Sequence, residues 1–258
     1  LPSTVNAKTL VIPISVSGNT AETLSILKSA HKLKCNIIAF SSGGKMQTIC
    51  KENRIPHRVV VRYHSPRASF PSYFYTILKV LHSTLNIEKQ DIDQSIIELE
   101  KIRKKICSSN LTKNNLSLSL AEWITHIPVI YFPYGLQSAA IRFKNSLQEN
   151  SKIHAFAEDV IEACHNGIVS WEKQSEIQPI LIVGKDDHEK TIERWQILKE
   201  FFNKNEIPFK EIISIQGSIL SKLINLIYVL DYSTIYLAIE NEIDPSPVKA
   251  IDFVKERL

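Results

Sequence analysis

The first sixty residues alternate between short apolar runs and amphipathic stretches. The apolar runs at residues 9–15, 35–40 and 57–61 are rich in β-branched side chains and are long enough only for buried strands. The stretches from residue 20 and over residues 45–53 repeat apolar side chains every three or four positions, which predicts two helices. Strands that alternate with helices in this way are typical of a parallel sheet covered by helices on both faces.

The pattern becomes wholly helical over residues 69–109. Residues 70–85 are aromatic or aliphatic on most faces, so we expect a buried helix there. Residues 91–106 are amphipathic. The apolar side of this second helix carries Ile92, Ile96, Leu99 and Ile106. The polar run at residues 108–115 follows it and predicts a linker.

A second α/β pattern occupies the rest of the chain. Strands are predicted at residues 127–132, 179–183 and 211–215, and helices at residues 137–148, 189–203 and 218–241. A last helix is predicted from Asp244, with proline in its first turn. We therefore predict an α/β fold with two subdomains, each a parallel sheet flanked by helices. The first spans residues 1–68, a helical segment and linker spans 69–118, and the second subdomain spans 119–258 with the carboxyl-terminal helix.

Composition and charge narrow the functional classes. With 44% hydrophobic and 22% charged residues, the 258-residue chain has ordinary globular composition and can bury a full core. The net charge of +4 is spread along the chain. The basic cluster at residues 101–105 interleaves with Glu98 and Glu100 at helical spacing, as on a solvated helix face. We therefore expect no nucleic-acid partner.

Other residue types bear on cofactors and location. The four cysteines fit neither a zinc site nor a disulfide framework, which favours a reducing compartment. The longest apolar stretch, residues 223–237, is interrupted by Asn225, Asp231 and Ser233, and no signal peptide is visible at the start. We therefore expect a cytoplasmic protein with no membrane partner and no metal.

Two turns rich in hydroxyl groups and glycine follow predicted strands. Residues 15–20 (SVSGNT) come after the first strand, and residues 41–45 (SSGGK) take the same place after the second. Backbone N–H groups at helix N-termini favour an anion, and neighbouring strand ends open into one cleft. The plainer alternative is a helix cap and turn without a ligand. Neither turn matches a nucleotide-binding fingerprint, so the expected anion is a phosphosugar.

The motifs together resemble a known family. Residues 15–23 (SVSGNTAET) with 42–45 (SGGK) resemble a sugar isomerase (SIS) domain. Further motifs follow in the order found in the bifunctional phosphoglucose/phosphomannose isomerases of archaea and some bacteria. They are PRA at 66–68, RFKN at 142–145, EN at 149–150, HN at 165–166, WE at 171–172 and DPSPV at 244–248. The pair EN and HN, sixteen residues apart, is the specific part, whereas SGNT marks only the SIS superfamily.

This resemblance implies an activity and a set of site residues. The activity is aldose–ketose isomerisation of glucose 6-phosphate and/or mannose 6-phosphate with fructose 6-phosphate, through a cis-enediol and without a cofactor. It belongs to glycolysis, gluconeogenesis and carbohydrate metabolism, in a homodimer with a shared active site. The implied catalytic residues are the base Glu149, the ring-opening His165 from the partner subunit, Arg67 beside the enediolate, and Lys255. The implied substrate-binding and phosphate-binding residues are Ser15, Ser17, Gly18, Asn19, Thr20, Ser42, Gly43 and Ser246.

The residues by themselves leave plainer interpretations open. Glu149 on an amphipathic helix is also typical of a solvated surface group, His165 of a structural histidine and Arg67 of a helix cap. The chain departs from the family pattern at Val16, at Ser246 and at Gly167, where an acidic residue is usual. It also begins after a strand–helix–strand unit that the family has, so we expect the first subdomain to lack its amino-terminal part. The alternative function is therefore a catalytically silent sugar-phosphate-binding protein, a sensor or regulator.

Overall fold

Two compact units make up the protein in a computed structural model, which describes residues 1–257. Unit 1 comprises residues 1–87 with the described residues from 250 onward, and unit 2 comprises residues 88–249. Both units contain parallel sheets flanked by helices, which confirms the predicted α/β class. The subdomain boundaries predicted from the sequence, at residues 68 and 118, stay a prediction.

Short parallel strands form the centre of unit 1. They are β1 (Leu10–Val11), β2 (Ile14–Ser15), β3 (Asn36–Ile37), β4 (Ala39–Ser41) and β5 (His57–Val59). β1 pairs with β3, and β4 lies between β2 and β5. The runs predicted at residues 9–15 and 35–40 are thus each broken into two strands. Pro13, between β1 and β2, has no N–H to donate to a ladder, although its carbonyl accepts from Phe40 N at 3.0 Å.

The helices of unit 1 lie on both faces of these strands. They are α1 (Ala21–Lys32), α2 (Gly44–Glu52) and α3 (Phe70–Leu85). Successive residues of a strand face opposite ways. Ala39 accordingly packs with α1 and α2, and Phe40 with Tyr73 of α3. The expected burial of α3 is met in part: Tyr73, Leu78 and Leu81 are buried and most other residues up to position 80 are partly buried, whereas residues 82–85 are exposed.

Unit 2 is built on a four-stranded parallel sheet. Its strands are β6 (Ile127–Phe132), β7 (Phe156–Asp159), β8 (Ile177–Val183) and β9 (Lys210–Ile213), in the order β7-β6-β8-β9. The edge strand β7 was not predicted, since its sequence FAED lacks an apolar run. The central strands β6 and β8 are buried almost throughout, as their continuous apolar sequences predict.

Unit 2 also contains helices, the longest of which packs against three of the others. They are α4 (Lys89–Ile106), α5 (Leu116–Trp123), α6 (Gln137–Ser146), α7 (Val160–Ala163), α8 (Glu189–Lys204) and α9 (Ile219–Glu240). The last helix, α10 (Lys249–Lys255), belongs to unit 1 from residue 250 onward. α9 packs against α4, α5 and α6. It is long and apolar enough to span a membrane by length and composition, but more than half of its most apolar stretch is buried within the protein.

Residues 108–115, the predicted linker, lie within unit 2, where Asn115, fully buried, caps α5 by accepting from Leu118 N at 3.1 Å; their role as a linker stays a prediction. Two other predicted segments differ from the structure. On α4 the buried positions are Ser95 and Ile106, so the predicted burial of Ile106 is confirmed, whereas Ile96 is 41% exposed. The last helix begins at Lys249, after the two prolines rather than with them, because Ser246 N donates to Asp244 Oδ1 in a separate turn.

Candidate active site

The first hydroxyl-rich turn of unit 1 is closed by its own side chains. It connects β2 to α1 and comprises residues 15–20. Ser15 is buried, and its Oγ accepts from Gly18 N at 3.0 Å and lies 2.9 Å from Thr20 Oγ1. Ser17 Oγ accepts from Asn19 N at 3.2 Å. Three hydroxyls are thus gathered at the carboxyl end of a parallel strand and the start of a helix, where the helix dipole favours an anion.

The second turn, residues 41–45, lies directly against the first. Ser42 Oγ donates to Val16 O at 2.6 Å, Lys45 N donates to Asn19 Oδ1 at 2.9 Å, and Met46 N donates to Gly18 O at 2.9 Å. A Cβ on Gly18 would lie 1.8 Å from Gly43 O, so only glycine permits this approach. The predicted phosphate-binding residues of unit 1 therefore form one cluster at the ends of β2 and β4.

Ser41 and His57 support this cluster; Ser41 belongs to the turn at residues 41–45 that the sequence singles out, whereas His57 was not identified from the sequence. Ser41 is fully buried, and its Oγ donates to Gly43 O at 2.8 Å and lies 2.8 Å from His57 Nε2. Burial lowers the pKa of His57, so the ring is neutral near pH 7. The signal for His57 was its place at the start of the next strand, β5, beside β4.

Arg67 and Lys255 occupy different parts of unit 1. Arg67 is half-buried in the turn that precedes α3, where Ser69 Oγ donates to Ser65 O at 2.8 Å. α3 reaches the first turn through Tyr73, whose hydroxyl donates to Val16 O at 3.1 Å. Lys255 is exposed at the last position of α10.

Glu149 lies in unit 2 on a π-helical turn that extends α6. The turn spans Leu147–Ser151 and replaces the end of the predicted helix 137–148. Its residues Asn150 and Ser151 are buried, whereas Glu149 keeps part of its surface exposed. π-helical turns are rare and frequently occur at functional sites. The carboxylate is therefore presented from an irregular backbone rather than from a regular surface helix.

Lys152 joins the Glu149 turn to the carboxyl-terminal motif DPSPV, residues 244–248. Its ammonium donates to the Glu149 carbonyl and, at 2.7 Å, to Pro247 O. Hydrogen bonds from Ser246, with the charge of Lys152, lower the pKa of Asp244. Ser246, an exposed predicted site residue, thus belongs to a turn held beside Glu149. Lys152 could not be singled out from the sequence, because a lysine after EN resembles any surface lysine.

His165 is exposed in the turn after α7, and its ring forms no hydrogen bond or ion pair with residues 1–257. The structure therefore does not bring His165 into contact with Glu149 within this chain. Gly167, two residues on, lies against Glu158 of β7: a Cβ at Gly167 would be 2.7 Å from Glu158 Oε2. Burial, followed by the charge of Glu162, raises the pKa of Glu158. A carboxylate thus remains beside this turn despite the glycine.

Comparisons with known proteins identify the family. The model of the bacterial phospho-glucose isomerase C-terminal SIS domain matches residues 113–258, which is more than half of the chain. A bifunctional phosphoglucose/phosphomannose isomerase from Caldicellulosiruptor bescii is 32% identical over 267 aligned residues, covering all of this chain and 78% of that protein. The chain belongs to the phosphoglucose/phosphomannose isomerase family. The resemblance identified from the sequence motifs is thereby confirmed, and the chain is a member of an enzyme family of sugar-phosphate isomerases.

Other relatives broaden the range of this family. A D-glucosamine-6-phosphate 4-epimerase from Sulfolobus acidocaldarius is 29% identical over 257 residues, covering 98% of this chain and 77% of that protein. Among solved structures, the tagatose-6-phosphate ketose/aldose isomerase of Escherichia coli superposes with a TM-score of 0.74 at 13% identity, covering 94% of this chain and 72% of that one. The structural likeness supports the SIS-type fold, while the family assignment rests on the sequence matches.

Proposed function

We propose that this protein interconverts glucose 6-phosphate and/or mannose 6-phosphate with fructose 6-phosphate through a cis-enediol intermediate. The observation that carries the proposal is the setting of Glu149. A partly exposed carboxylate stands on a π-helical turn whose neighbouring residues are buried and hydrogen-bonded. Relatives that cover the whole chain are named as bifunctional isomerases of this kind.

Proton transfer between adjacent carbons needs one well-placed base. In the open-chain aldose, Glu149 takes the proton from C2, and the electron pair forms the enediolate while the C1 oxygen gains negative charge. A proton then moves from the C2 hydroxyl to the C1 oxygen, and the same carboxyl returns the abstracted proton to C1 as the C2 oxygen becomes the carbonyl of the ketose. Arg67 stabilises the enediolate by its positive charge, and Lys255 acts with it. No metal or organic cofactor enters these steps.

The hydroxyl-rich turns of unit 1 bind the phosphate in this proposal. Ser15, Ser17 and Thr20 supply hydroxyl donors, and Asn19, Ser42 and Gly43 hold the second turn against the first. Two helix N-termini end at this cluster, so their dipoles add to the attraction for a dianion. Ser246 lies in the turn beside Glu149 and completes the substrate-binding set.

The position of His165 favours a homodimer. Its ring is exposed and unengaged within the described chain, as expected of a group that acts in the site of a partner subunit, where it would assist ring opening. We propose a cytoplasmic homodimer on this basis. Sedimentation at working concentration should then give twice the chain mass of 29.4 kDa, and a fully active monomer would rule out the cross-subunit role.

The test is Glu149→Gln, with Glu200→Gln as the matched control. Glutamine keeps the shape of Glu149 and removes its basic oxygen, so phosphosugar affinity should persist while isomerisation falls at least about 10²-fold. Glu200 is exposed on α8, and its substitution should change neither property. Activity is followed by coupled assay of fructose 6-phosphate, and proton transfer by exchange of the C2 hydrogen with deuterated solvent. Near-normal turnover and exchange in Glu149→Gln would refute the proposal.

Two alternative functions, epimerisation and sugar-phosphate binding without catalysis, are distinguished by further measurements on the same protein. A relative named as a 4-epimerase makes epimerisation of an amino-sugar phosphate the second candidate. Proton NMR of glucosamine 6-phosphate incubated with the protein would reveal a C4 epimer. A catalytically silent sensor would bind hexose 6-phosphates in calorimetry and produce neither product nor exchange.

A further inference from the structure

The π-helical turn that carries Glu149 is fastened on both sides to one turn of α9. Before it, Ser146 Oγ donates to Asp231 Oδ1 at 2.8 Å. After it, Asn150 Nδ2 donates to Thr234 Oγ1 at 2.8 Å, and Ser151 Oγ donates to Thr234 O at the same distance. Thr234 Oγ1 in turn donates to Asp231 O at 2.7 Å. Two residues three positions apart on α9 thus bracket Glu149.

Arg142 reinforces the first of these anchors. Its guanidinium donates to Asp231 Oδ2 through Nε at 2.9 Å and through Nη2 at 2.6 Å, while Ser146 donates to Oδ1, so both carboxylate oxygens are held. Burial, with a further contribution from the charge of Glu149, raises the pKa of Asp231, against the opposing effect of Arg142 and Ser146. The two carboxylates are therefore close enough to interact.

The second anchor depends on buried polar groups. Asn150 and Thr234 are 5% and 0% exposed, and Ser151 is fully buried. A π-helical turn has irregular hydrogen bonding of its own, so contacts to a neighbouring helix decide its conformation. Leaving a buried amide without its hydrogen-bond partner is costly, so other arrangements of this turn are unfavourable while Thr234 is present.

We propose that Thr234 and Asp231 are positioning residues that hold Glu149 in the geometry required for proton transfer. The inference rests on the proposed role of Glu149 as the base. A displacement of about 1 Å in a reacting group can lower the rate by about 10²-fold, so an anchor of this kind acts on turnover. It should leave binding of the phosphate unchanged, because the phosphate is assigned to residues of unit 1.

The test compares Thr234→Val with Thr234→Ser. Valine keeps the shape and removes the hydroxyl that accepts from Asn150, whereas serine keeps the hydroxyl. We expect Thr234→Val to lower kcat and C2 hydrogen exchange together by about 10–10²-fold, with KM within about threefold of wild type. Thr234→Ser should return kcat to within about threefold of wild type.

Ser117→Ala is the matched control. Ser117 lies on α5, is fully buried and donates to Val229 O at 2.8 Å. Val229 is on α9, the helix that also carries Thr234, but this hydrogen bond does not involve the Glu149 turn. It should lower the melting temperature as Thr234→Val does and leave kcat unchanged. If Thr234→Val does not fold, Ser151→Ala removes the neighbouring anchor and is assessed by the same criteria.

The outcomes separate this inference from the proposed function. A normal kcat in Thr234→Val, a rise in KM alone, or an equal loss of kcat in Ser117→Ala would overturn the positioning role. If Glu149→Gln abolishes isomerisation while Thr234→Val does not affect it, only the inference fails. If Glu149→Gln itself remains active, the proposed function fails first, whatever the result at Thr234.

Discussion

The contact between the two turns of unit 1 can be broken by a single methyl group. Gly18 has a φ of +69°, and a Cβ there would lie 1.8 Å from Gly43 O and 2.8 Å from Gly43 C. Both atoms belong to backbone, so no side chain can rotate away to make room. In Gly18→Ala the second turn must retreat by about 1 Å or more to restore an ordinary carbon–oxygen contact.

The expected loss of stability in Gly18→Ala is estimated from the backbone strain and from the hydrogen bonds that this displacement breaks. The left-handed conformation costs a non-glycine residue about 1–2 kcal/mol. The three hydrogen bonds between the turns, made by Ser42 Oγ, Lys45 N and Met46 N, each contribute about 0.5–1.5 kcal/mol. We therefore expect Gly18→Ala to lower the free energy of unfolding by about 3–5 kcal/mol and to weaken phosphosugar binding at least tenfold.

The conformational penalty can be separated from the clash by a control. Gly135 has a φ of +94°, but its nearest neighbour to a Cβ would be Ile219 Cδ1 at an ordinary 3.8 Å. Gly135→Ala should therefore cost only about 1–2 kcal/mol in urea unfolding. Calorimetric titration with a hexose 6-phosphate measures the binding. If Gly18→Ala costs no more than Gly135→Ala and binds the phosphosugar normally, the two turns do not meet as described.

Two further predictions concern the hydroxyl groups of each unit. Ser17→Ala and Thr20→Ala should each weaken phosphosugar binding about tenfold in calorimetry, since each removes a donor to a charged group, and unchanged affinity in both would place the phosphate elsewhere. Burial raises the pKa of Tyr131 to about 12, so its stabilising contribution is present below pH 10 and is lost as pH rises towards 12. Tyr131→Phe should lower the free energy of unfolding by about 1–3 kcal/mol at pH 8, because Trp171 Nε1 loses its acceptor. The variant should lose less additional stability than the wild type as the pH rises, which urea unfolding across that range would test.

The sequence predicted the regular parts of this fold well, because their patterns are local. α3, α8 and α9 begin and end within a residue or two of the predicted positions, and each has a clear helical repeat of apolar residues. The edge strand β7 and the short helix α5 were missed, since the first has no apolar run and the second follows a polar segment. How deeply α3 is buried depends on what packs against it, which the residues of α3 do not specify.

One part of the candidate site could be predicted from local sequence pattern, and another part could not. The convergence of the two turns in unit 1 follows from local pattern, because β2 and β4 are neighbours and parallel strands end at the same edge. The setting of Glu149 does not follow from local sequence pattern, since Asp231 and Thr234 come more than eighty positions after it in the chain. In the sequence, Asp231 is one of the polar residues that interrupt the apolar stretch at residues 223–237. Their positions favoured a protein helix over a membrane span, but only the fold assigns Asp231 to the π-helical turn.

Gly167 illustrates why single positions can mislead when a chain is compared with its family. An acidic residue is usual after the His-Asn pair, so glycine there resembles the loss of a charge beside His165. The structure has the Glu158 carboxylate at that place, 2.7 Å from where a Cβ of residue 167 would stand. An aspartate at 167 would have to displace this carboxylate, which lies at the end of a flexible side chain. The turn therefore retains a neighbouring carboxylate, supplied by β7, and the glycine is not by itself an argument for a silent protein.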